Sequence, residues 1–527
     1  MVQRYSDDIL VFLYVMVLVI VAIYGMHRYI LVYLYLKHRH EGYKPKGQFD
    51  ELPLVTVQLP MFNENSVAER IIEAACRIDY PRDKIEIQVL DDSTDHSAEI
   101  ARLACEKWAA KGFPVKYLHR DNRAGYKAGA LKDGLKHATG EFIVIFDADF
   151  VPPRDILYNV VDYFTDEKVG MVQVRWDHLN RDASLLTQSQ AIFLDGHFVI
   201  EHTARNRSGR FMHFNGTAGV WRRKTIDDAG GWEHDTLTED LDLSYRAQMR
   251  GWQFVYLPQF CAPAELPPEM IGFKQQAHRW TKGSFQTAIK LLPRVLRSKH
   301  LPLRIKTEAF FHLTNTIVYP LMVAMTLMMY PAFLSFYSPL KTHDHTWGQF
   351  LFSFSLFVLA TCSASTFFVF GQRELLGKQA GWKALLYLPL LMALGVGISL
   401  NNAKGVLEAI WSSFWGKPSE FVRTPKYGMT IIAGEAPKIW RSAGVFTLRK
   451  LSLPIIEIAF GCYMSCWIFI SLYYNFCLLS IPFLTIFASG YFYVGFSSLS
   501  TLYHIRRDAI EAEAAAEIEA APEIIST

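Results

Sequence analysis

Phe142-Ile-Val-Ile-Phe-Asp147-Ala-Asp149-Phe150 is an apolar, β-branched run that stops on two carboxylates with one small residue between them. A run without polar alternation reads as a strand of a parallel sheet, covered on both faces. The acids then stand just past the strand's carboxyl end, where open α/β sheets place their ligand crevice. Asp147 and Asp149 are poor packing groups there. They are good ligands for Mg²⁺ or Mn²⁺, which bind through one or two carboxylates plus substrate phosphates. A solvated acid pair in a turn fits the same three residues equally well, so the rest of the chain has to decide.

Working outward, the α/β pattern holds from about Leu54 to about Pro263. Leu54–Leu59, Ile85–Leu90, Val115–Leu118 and Phe142–Phe146 are expected strands, with helical periods between them at Ser66–Arg77, Ser97–Lys111 and Lys127–Ala138. Strands alternating with helices predict a parallel sheet joined by right-handed crossovers.

The flanks of this domain are different. Ile9 to Met26 carries no charge, and apolar residues continue to Leu36. That is enough to cross a bilayer as a retained anchor. Lys37-His-Arg-His40, Lys44 and Lys46 follow at once, which places this end in the cytoplasm. Phe310–Phe336, Phe350–Phe370, Leu453–Tyr474 and Cys477–Leu499 are four further expected crossings. Ala384–Leu400 is shorter, and charge parity fits best if it lies in the membrane plane or re-enters, for five crossings in all; a sixth crossing there would instead put residues 401–450 outside. Phe285–Arg297 is amphipathic with basic residues on its polar side, which predicts a helix in the membrane surface, kinked at Pro293. The tail beyond residue 504 is acidic and rich in Ala.

Bulk composition narrows the partners. The chain has 527 residues with 54 Lys+Arg against 51 Asp+Glu, a net +3 that is too balanced for a nucleic-acid binder. Its seven cysteines form no paired framework, consistent with a reducing, cytoplasmic setting for the middle domain.

Several stretches carry chemistry. Asp92, after the strand Ile85–Leu90, is placed to accept hydrogen bonds from a nucleotide, whereas Ser93 and Asp95 read as turn or cap residues. Asn63 and Glu64 end the first strand and face the same crevice. Arg123-Ala-Gly-Tyr-Lys127-Ala-Gly129 offers close backbone approach and a point charge for a diphosphate, although a Gly-containing helix start looks the same. Asp240, beside Glu239, suits a general base that takes a proton from a sugar hydroxyl, or equally a helix N-terminus with acids on the macrodipole. Gln276, Arg279 and Trp280 supply donors and a flat face for a sugar ring. Trp280 also suits an anchor at the membrane interface.

In order, Asp91-Asp92, Asp147-Ala-Asp149, Thr238-Glu-Asp240 and Gln276-Ala-His-Arg279-Trp280 resemble the D, DxD, TED and QxxRW motifs of the family 2 membrane glycosyltransferases. Those are the processive synthases of cellulose, mannan, chitin and hyaluronan. Val57-Gln-Leu-Pro-Met-Phe-Asn-Glu64, Asn122–Leu131, Phe214–Arg222 and Ala229–Trp232 bring the resemblance closest to the cellulose-synthase-like mannan and glucan synthases. It covers Leu54 to Lys282 well and the membrane part in layout. Phe421-Val-Arg-Thr424-Pro-Lys426 is similar to the FxVTxK gating loop of cellulose synthases, with Arg423 in place of Val.

The resemblance implies an α/β, GT-A-type cytoplasmic glycosyltransferase domain inserted between transmembrane helices. Its expected parts are an anchor over 1–37, a catalytic domain over 38–280, interfacial helices over 281–306, a membrane region over 307–504 with a gating loop at 416–428, and a cytoplasmic acidic tail over 505–527. It implies Asp240 and Glu239 as catalytic acids. Asn63, Glu64, Asp92, Lys127, Asp147, Phe421, Thr424 and Lys426 are implied for the donor. Gln276, Arg279, Trp280, Phe214, Asn215 and Gly216 are implied for the acceptor, and Asp147 with Asp149 for Mg²⁺ or Mn²⁺. The implied activity is inverting, processive synthesis of a β-linked glucan, mannan or glucomannan from UDP-glucose or GDP-mannose. A growing glycan would be the acceptor, and export would run across a plasma (inner) membrane. A non-processive enzyme making a glycolipid is the alternative.

Overall fold

The computed structural model describes residues 2–336, 346–416, 448–474 and 478–524, together with Arg423, Thr424, Lys426 and Gly428. Among them, β1 (Val55–Met61), β2 (Ile85–Asp91), β3 (Val115–His119), β4 (Phe142–Ile145), β5 (Val169–His178), β6 (Gly219–Arg222) and β7 (Gln253–Ala264) form one sheet, ordered β3-β2-β1-β4-β6-β5-β7.

Phe142, Ile143, Val144 and Ile145 are all fully buried, so the opening run is covered on both faces as its composition predicts. Val144 faces one core with Val57, Ile71 and Ile72, while Ile143 and Ile145 face a second core with Leu131, Leu135 and Trp221. Fully burying such a side chain contributes about 1.5–3 kcal/mol relative to leaving it exposed. The four residues of β4 therefore anchor both helical layers to the sheet.

β1 is parallel to β2 and β4, and β2 to β3, so half of the sheet follows the expected βαβ pattern. The other half corrects it: β6 runs antiparallel to both β4 and β5. A strand as short as Gly219-Val-Trp-Arg222 shows no period to read. The parallel half gathers the carboxyl ends of β1, β2 and β4 on one edge, with Met61 opposite Asp91 and Gln58 opposite Ile145. Their following loops are the places where the chain puts Asn63, Asp92 and Asp147.

Asp8–His38, Leu303–Ala332, Lys378–Trp415, Ser452–Tyr473 and Ile481–Arg507 are long and apolar enough to cross a membrane, five segments among the described residues. By length and composition the chain is an integral membrane protein. The helix Thr346–Leu376, 31 residues long, covers the further expected span Phe350–Phe370. The stretch expected to lie in-plane falls in the helices Lys378–Gly397 and Ser399–Trp415. Leu394 packs with Leu186 and Met270 of the catalytic domain and with Val494 of the last long helix, and Glu408 accepts from Lys282 at 3.1 Å.

Two buried polar ties fix the domain against the membrane helices. Lys274 donates to both oxygens of Glu457, at 2.7 and 2.8 Å. Arg205 Nε donates to Glu308, whose other oxygen meets His27 of the first helix at 3.1 Å. Buried pairs add little net stability, but stripping one partner costs about 3–5 kcal/mol. Their effect is to specify how the helices seat. The amphipathic stretch near Pro293 belongs to a longer helix, Met270–Arg297. Its Ala288, Leu291 and Val295 are buried against Leu241, Tyr245 and Ala309, while Leu296 faces outward.

Candidate active site

The crevice lies at the sheet edge formed by β1, β2 and β4. Asp92 is buried, its N–H bonded to Met61 O at 3.0 Å. Its two oxygens accept from Arg120 Nε and Nη2, at 2.7 and 2.5 Å. Burial pushes its pKa up, and Arg120 opposes that rise. Arg120 sits 28 positions away with no local signature, and sequence reading missed it. Asp91 is a structural acid instead, fully buried and accepting from Tyr117 Oη at 2.7 Å. Ser93 and Asp95 take the expected turn and cap roles, accepting from the N–H groups of Asn63 at 2.8 Å and Ser97 at 2.9 Å.

Asn63, at φ 54°, turns the chain and accepts from Thr94 N–H at 2.9 Å. Glu64 pairs with Arg423 at 3.0 Å. Burial pushes its carboxyl up to about 7, against the pull of Arg423 and Lys426. Arg123 stacks on the ring of Phe62, 3.4 Å from its centroid, and walls the same corner.

Lys127 enters from the helix Tyr126–His137. Any Cβ at Gly129 of this helix would lie 2.0 Å from Ala124 O, so only glycine permits the tight approach. Lys127 Nζ donates to Asp147 and to Gly216 O, the latter at 2.9 Å. Desolvation works against its charge, but Asp147 and Glu239 prevail and raise its pKa.

Asp149 is buried, and its Oδ2 accepts from Lys426 at 2.5 Å. Arg70 Nη2 holds the Asp149 carbonyl at 3.2 Å. Two carboxylates one residue apart, with no thiolate or imidazole between them, are a donor set for Mg²⁺ or Mn²⁺. Lys426's ammonium already stands where Asp149 requires positive charge. The residues present therefore fit a divalent cation. A second acidic group, Glu233, Asp235 and Asp242, is paired with Lys290 at 2.6–2.9 Å, and Arg246 also meets Asp242 at 2.7 Å.

Glu239 and Asp240 open the helix Glu239–Met249. The position is a helix N-terminus, as the cap reading has it, yet Thr238 does not cap: its Oγ1 pairs with Thr287 Oγ1 at 3.1 Å. Leu241 N–H donates to Asp240 Oδ1 at 2.8 Å. Oδ2 faces Gly216, lying 3.0 Å from where a Cβ there would stand, and Lys127 Nζ lies 3.5 Å from the same point. Burial, then the Glu239 charge, push Asp240 up to about 7. Arg279 shares the field of Glu239, Asp147, Asp240 and Asp149; burial lowers its pKa while those acids hold it up.

Gln276, Arg279 and Trp280 occupy one face of the helix Met270–Arg297 at spacings of three and four. Trp280 lies beside Trp176, with centroids 6.5 Å apart. Phe214 is placed in the core, fully buried against Trp221, so its side chain does not line the crevice. Asn215 turns its carboxamide toward His197, His202 and His213. Of the gating loop, Thr424 is buried and Lys426 reaches Asp149, while Phe421 lies outside the described residues.

A mixed α/β domain carries acids at its strand ends and stands beside helices long and apolar enough to cross a membrane. Residues 53–283 match the family described as glycosyltransferase like family 2. The chain is 42% identical over 282 residues to glucomannan 4-beta-mannosyltransferase 2 of Arabidopsis thaliana, covering 51% of this chain and 53% of that one. It is 44% identical over 252 residues to the probable glucomannan 4-beta-mannosyltransferase 4 of Oryza sativa subsp. japonica, covering 47% and 46%. The chain thus spans about half the length of the curated relatives it matches. Among solved structures, a mannosyltransferase from Pyrobaculum calidifontis in complex with GDP-Man and Mn²⁺ aligns with 71% of this chain and 98% of its own. Its sequence identity is 21% and its TM-score 0.48.

Proposed function

We propose that this chain is an inverting, processive hexosyltransferase. It transfers a hexose from a nucleotide diphosphate donor to a growing β-linked glycan and passes the product across the membrane. The observation that carries the reading is the convergence of Asp147, Asp149, Glu239 and Asp240 with Lys127 and Arg279 in one crevice. The names of the relatives favour GDP-mannose over UDP-glucose, and a mannan or glucomannan over a glucan. The basic run after the first span favours a cytoplasmic catalytic domain at a plasma (inner) membrane.

Inversion needs an acceptor hydroxyl to attack opposite the leaving diphosphate and to lose its proton. Asp240 takes that proton at its Oδ2, on the side toward Gly216. A cation held by Asp149 and Asp147 would offset the charge on the departing diphosphate. Lys127 and Arg279 supply fixed positive charge to the same group. Asp92, locked by Arg120, orients the nucleotide. Gln276 and Trp280 position the acceptor, and the segment with Arg423, Thr424 and Lys426 closes over the donor. The helices Lys378–Gly397 and Ser399–Trp415 re-enter without crossing, so that this segment stays on the catalytic side.

The test is nucleotide release by the purified full chain against GDP-mannose and UDP-glucose, with the product digested by β-mannanase or cellulase and sized. GDP release and a long, mannanase-sensitive product are expected. Release from no donor would remove the reading, and a single sugar on lipid would replace it with glycolipid synthesis.

A pH dependence follows from the same acid. Asp240 works only as the carboxylate, and its pKa is pushed up to about 7. Turnover at saturating donor should therefore rise about tenfold per pH unit below that point and level above it. A profile flat from about pH 5 to about pH 8 would remove Asp240 from the base role.

A further inference from the structure

Asn215 belongs to a loop whose next residue, Gly216, touches both Lys127 and Asp240. Its carboxamide is engaged elsewhere. Nδ2 lies 3.1 Å from His197 Nε2 and 3.2 Å from His213 Nε2, and Oδ1 lies 2.5 Å from His202 Nε2. An amide has two N–H donors, and both are taken here by imidazole nitrogens.

The proton positions follow from one neighbour. His197 Nδ1 lies 2.9 Å from Glu201 Oε2, so it carries the proton and its Nε2 is free to accept from Asn215. For a neutral His197, flipping the amide would force the proton to Nε2 and set a lone pair against the Glu201 carboxylate. The arrangement therefore has one orientation: Asn215 donates to His197 and His213, and His202 donates to Asn215. His202 and His213 are neutral. Burial agrees, holding His202 and His213 well below the usual histidine range.

The cluster closes a ring around the base. His213 packs on His312, with centroids 4.9 Å apart, and His312 Nδ1 bonds Tyr245 Oη at 2.7 Å. Tyr245 lies on the helix that begins with Glu239-Asp240. From the base helix, contacts thus run through Tyr245, His312, His213 and Asn215 to Gly216 and back to Asp240. His312 belongs to the helix Leu303–Thr314, at the start of a membrane segment.

We propose that Asn215 is a positioning residue for transfer. Its carboxamide, gripped by His197, His202 and His213, sets the Gly216 backbone against Asp240 and Lys127, and ties that backbone to a membrane helix. This rests on the reading of Asp240 as the base. The cluster is an alternative to an acceptor contact for Asn215, because both its donors are taken by imidazole nitrogens.

The test uses the full chain in nanodiscs, with Asn215→Ala, His202→Phe and the double variant. His202 is fully buried behind Asn215, so it isolates the indirect route. Each single variant should lower turnover at saturating donor about 10- to 100-fold, since small misplacements at reacting groups cost this much. Donor Kd by calorimetry should stay within about twofold, and the double variant should be no slower than the worse single one. His202→Gln, which keeps an N–H donor, should recover most of the rate.

Additive losses, or a silent His202→Phe, would show that Asn215 meets the acceptor directly. Coupling seen in Tm but not in turnover would reduce the cluster to a structural role. One equivalent of a transition metal in the wild type, lost in His202→Phe, would make the imidazoles a ligand set instead. Each of these outcomes overturns the proposal while wild-type turnover stands. A wild type that releases nucleotide from no donor overturns the function reading, and the proposal with it.

Discussion

Asp240→Asn leaves donor affinity within about twofold and lowers nucleotide release by about 10²–10⁴, the usual cost of removing a positioned base. The substitution is nearly isosteric, so the contact with Gly216 is kept and Leu241 N–H still finds an acceptor at Oδ1. What it removes is the ability to accept a proton on the side toward Gly216. In the proposed function the donor is held by other groups, Asp92 paired with Arg120 and Lys127 paired with Asp147. Binding should therefore survive when turnover fails. One electrostatic effect works the other way: the Asp240 charge helps hold Arg279 protonated, and Lys127 feels it too. Glu239, Asp147 and Asp149 remain to do this, so loss of one acid does not empty the crevice of negative charge. Calorimetry of GDP-mannose and UDP-glucose, alongside single-turnover nucleotide release, separates the two quantities. Turnover within threefold of wild type would sink the assignment of Asp240, whereas lost donor binding would move it to the donor site.

How far these residues could be read in advance depended on whether their information is local. β4 announced itself because four consecutive apolar residues need cover on both faces, and Phe142 to Ile145 have it. The acids after it were only half legible, since a solvated pair in a turn reads the same, and the downstream Thr238-Glu-Asp240 and Gln276-Ala-His-Arg279-Trp280 stretches had to decide. β6 was not legible: four residues form a strand only because β4 and β5 lie on either side to pair with them. Arg120 was missed because its meaning lies wholly in Asp92. The histidine cluster was missed because His197 and His202, His213, and His312 come from three separate segments with no common spacing. Phe214 and Asn215 show the limit of a motif. The motif locates the loop at the crevice, but only the packed structure reveals that Phe214 fills the core and Asn215 faces imidazoles.

Asp149→Asn should abolish binding of Mn²⁺ to the free protein and weaken donor binding at least about 100-fold, more than the 10–100-fold typical for changes one shell further out. Asp149 is the deeper member of the acid pair: its side chain is 7% exposed against 35% for Asp147. A buried carboxylate is costly unless a cation meets it. With no metal ion, Lys426 meets that need at 2.5 Å. The two cations therefore compete for one oxygen, and the competition predicts a second, opposite result. Lys426→Gln should raise Mn²⁺ affinity in the absence of donor, while lowering turnover, because the same ammonium serves the diphosphate once displaced. Free Mn²⁺ can be followed by electron paramagnetic resonance, with calcium as the control for charge alone. Unchanged Mn²⁺ binding in Asp149→Asn would move the cation elsewhere. Weaker Mn²⁺ binding in Lys426→Gln would mean that Lys426 supports the cation site and does not occlude it.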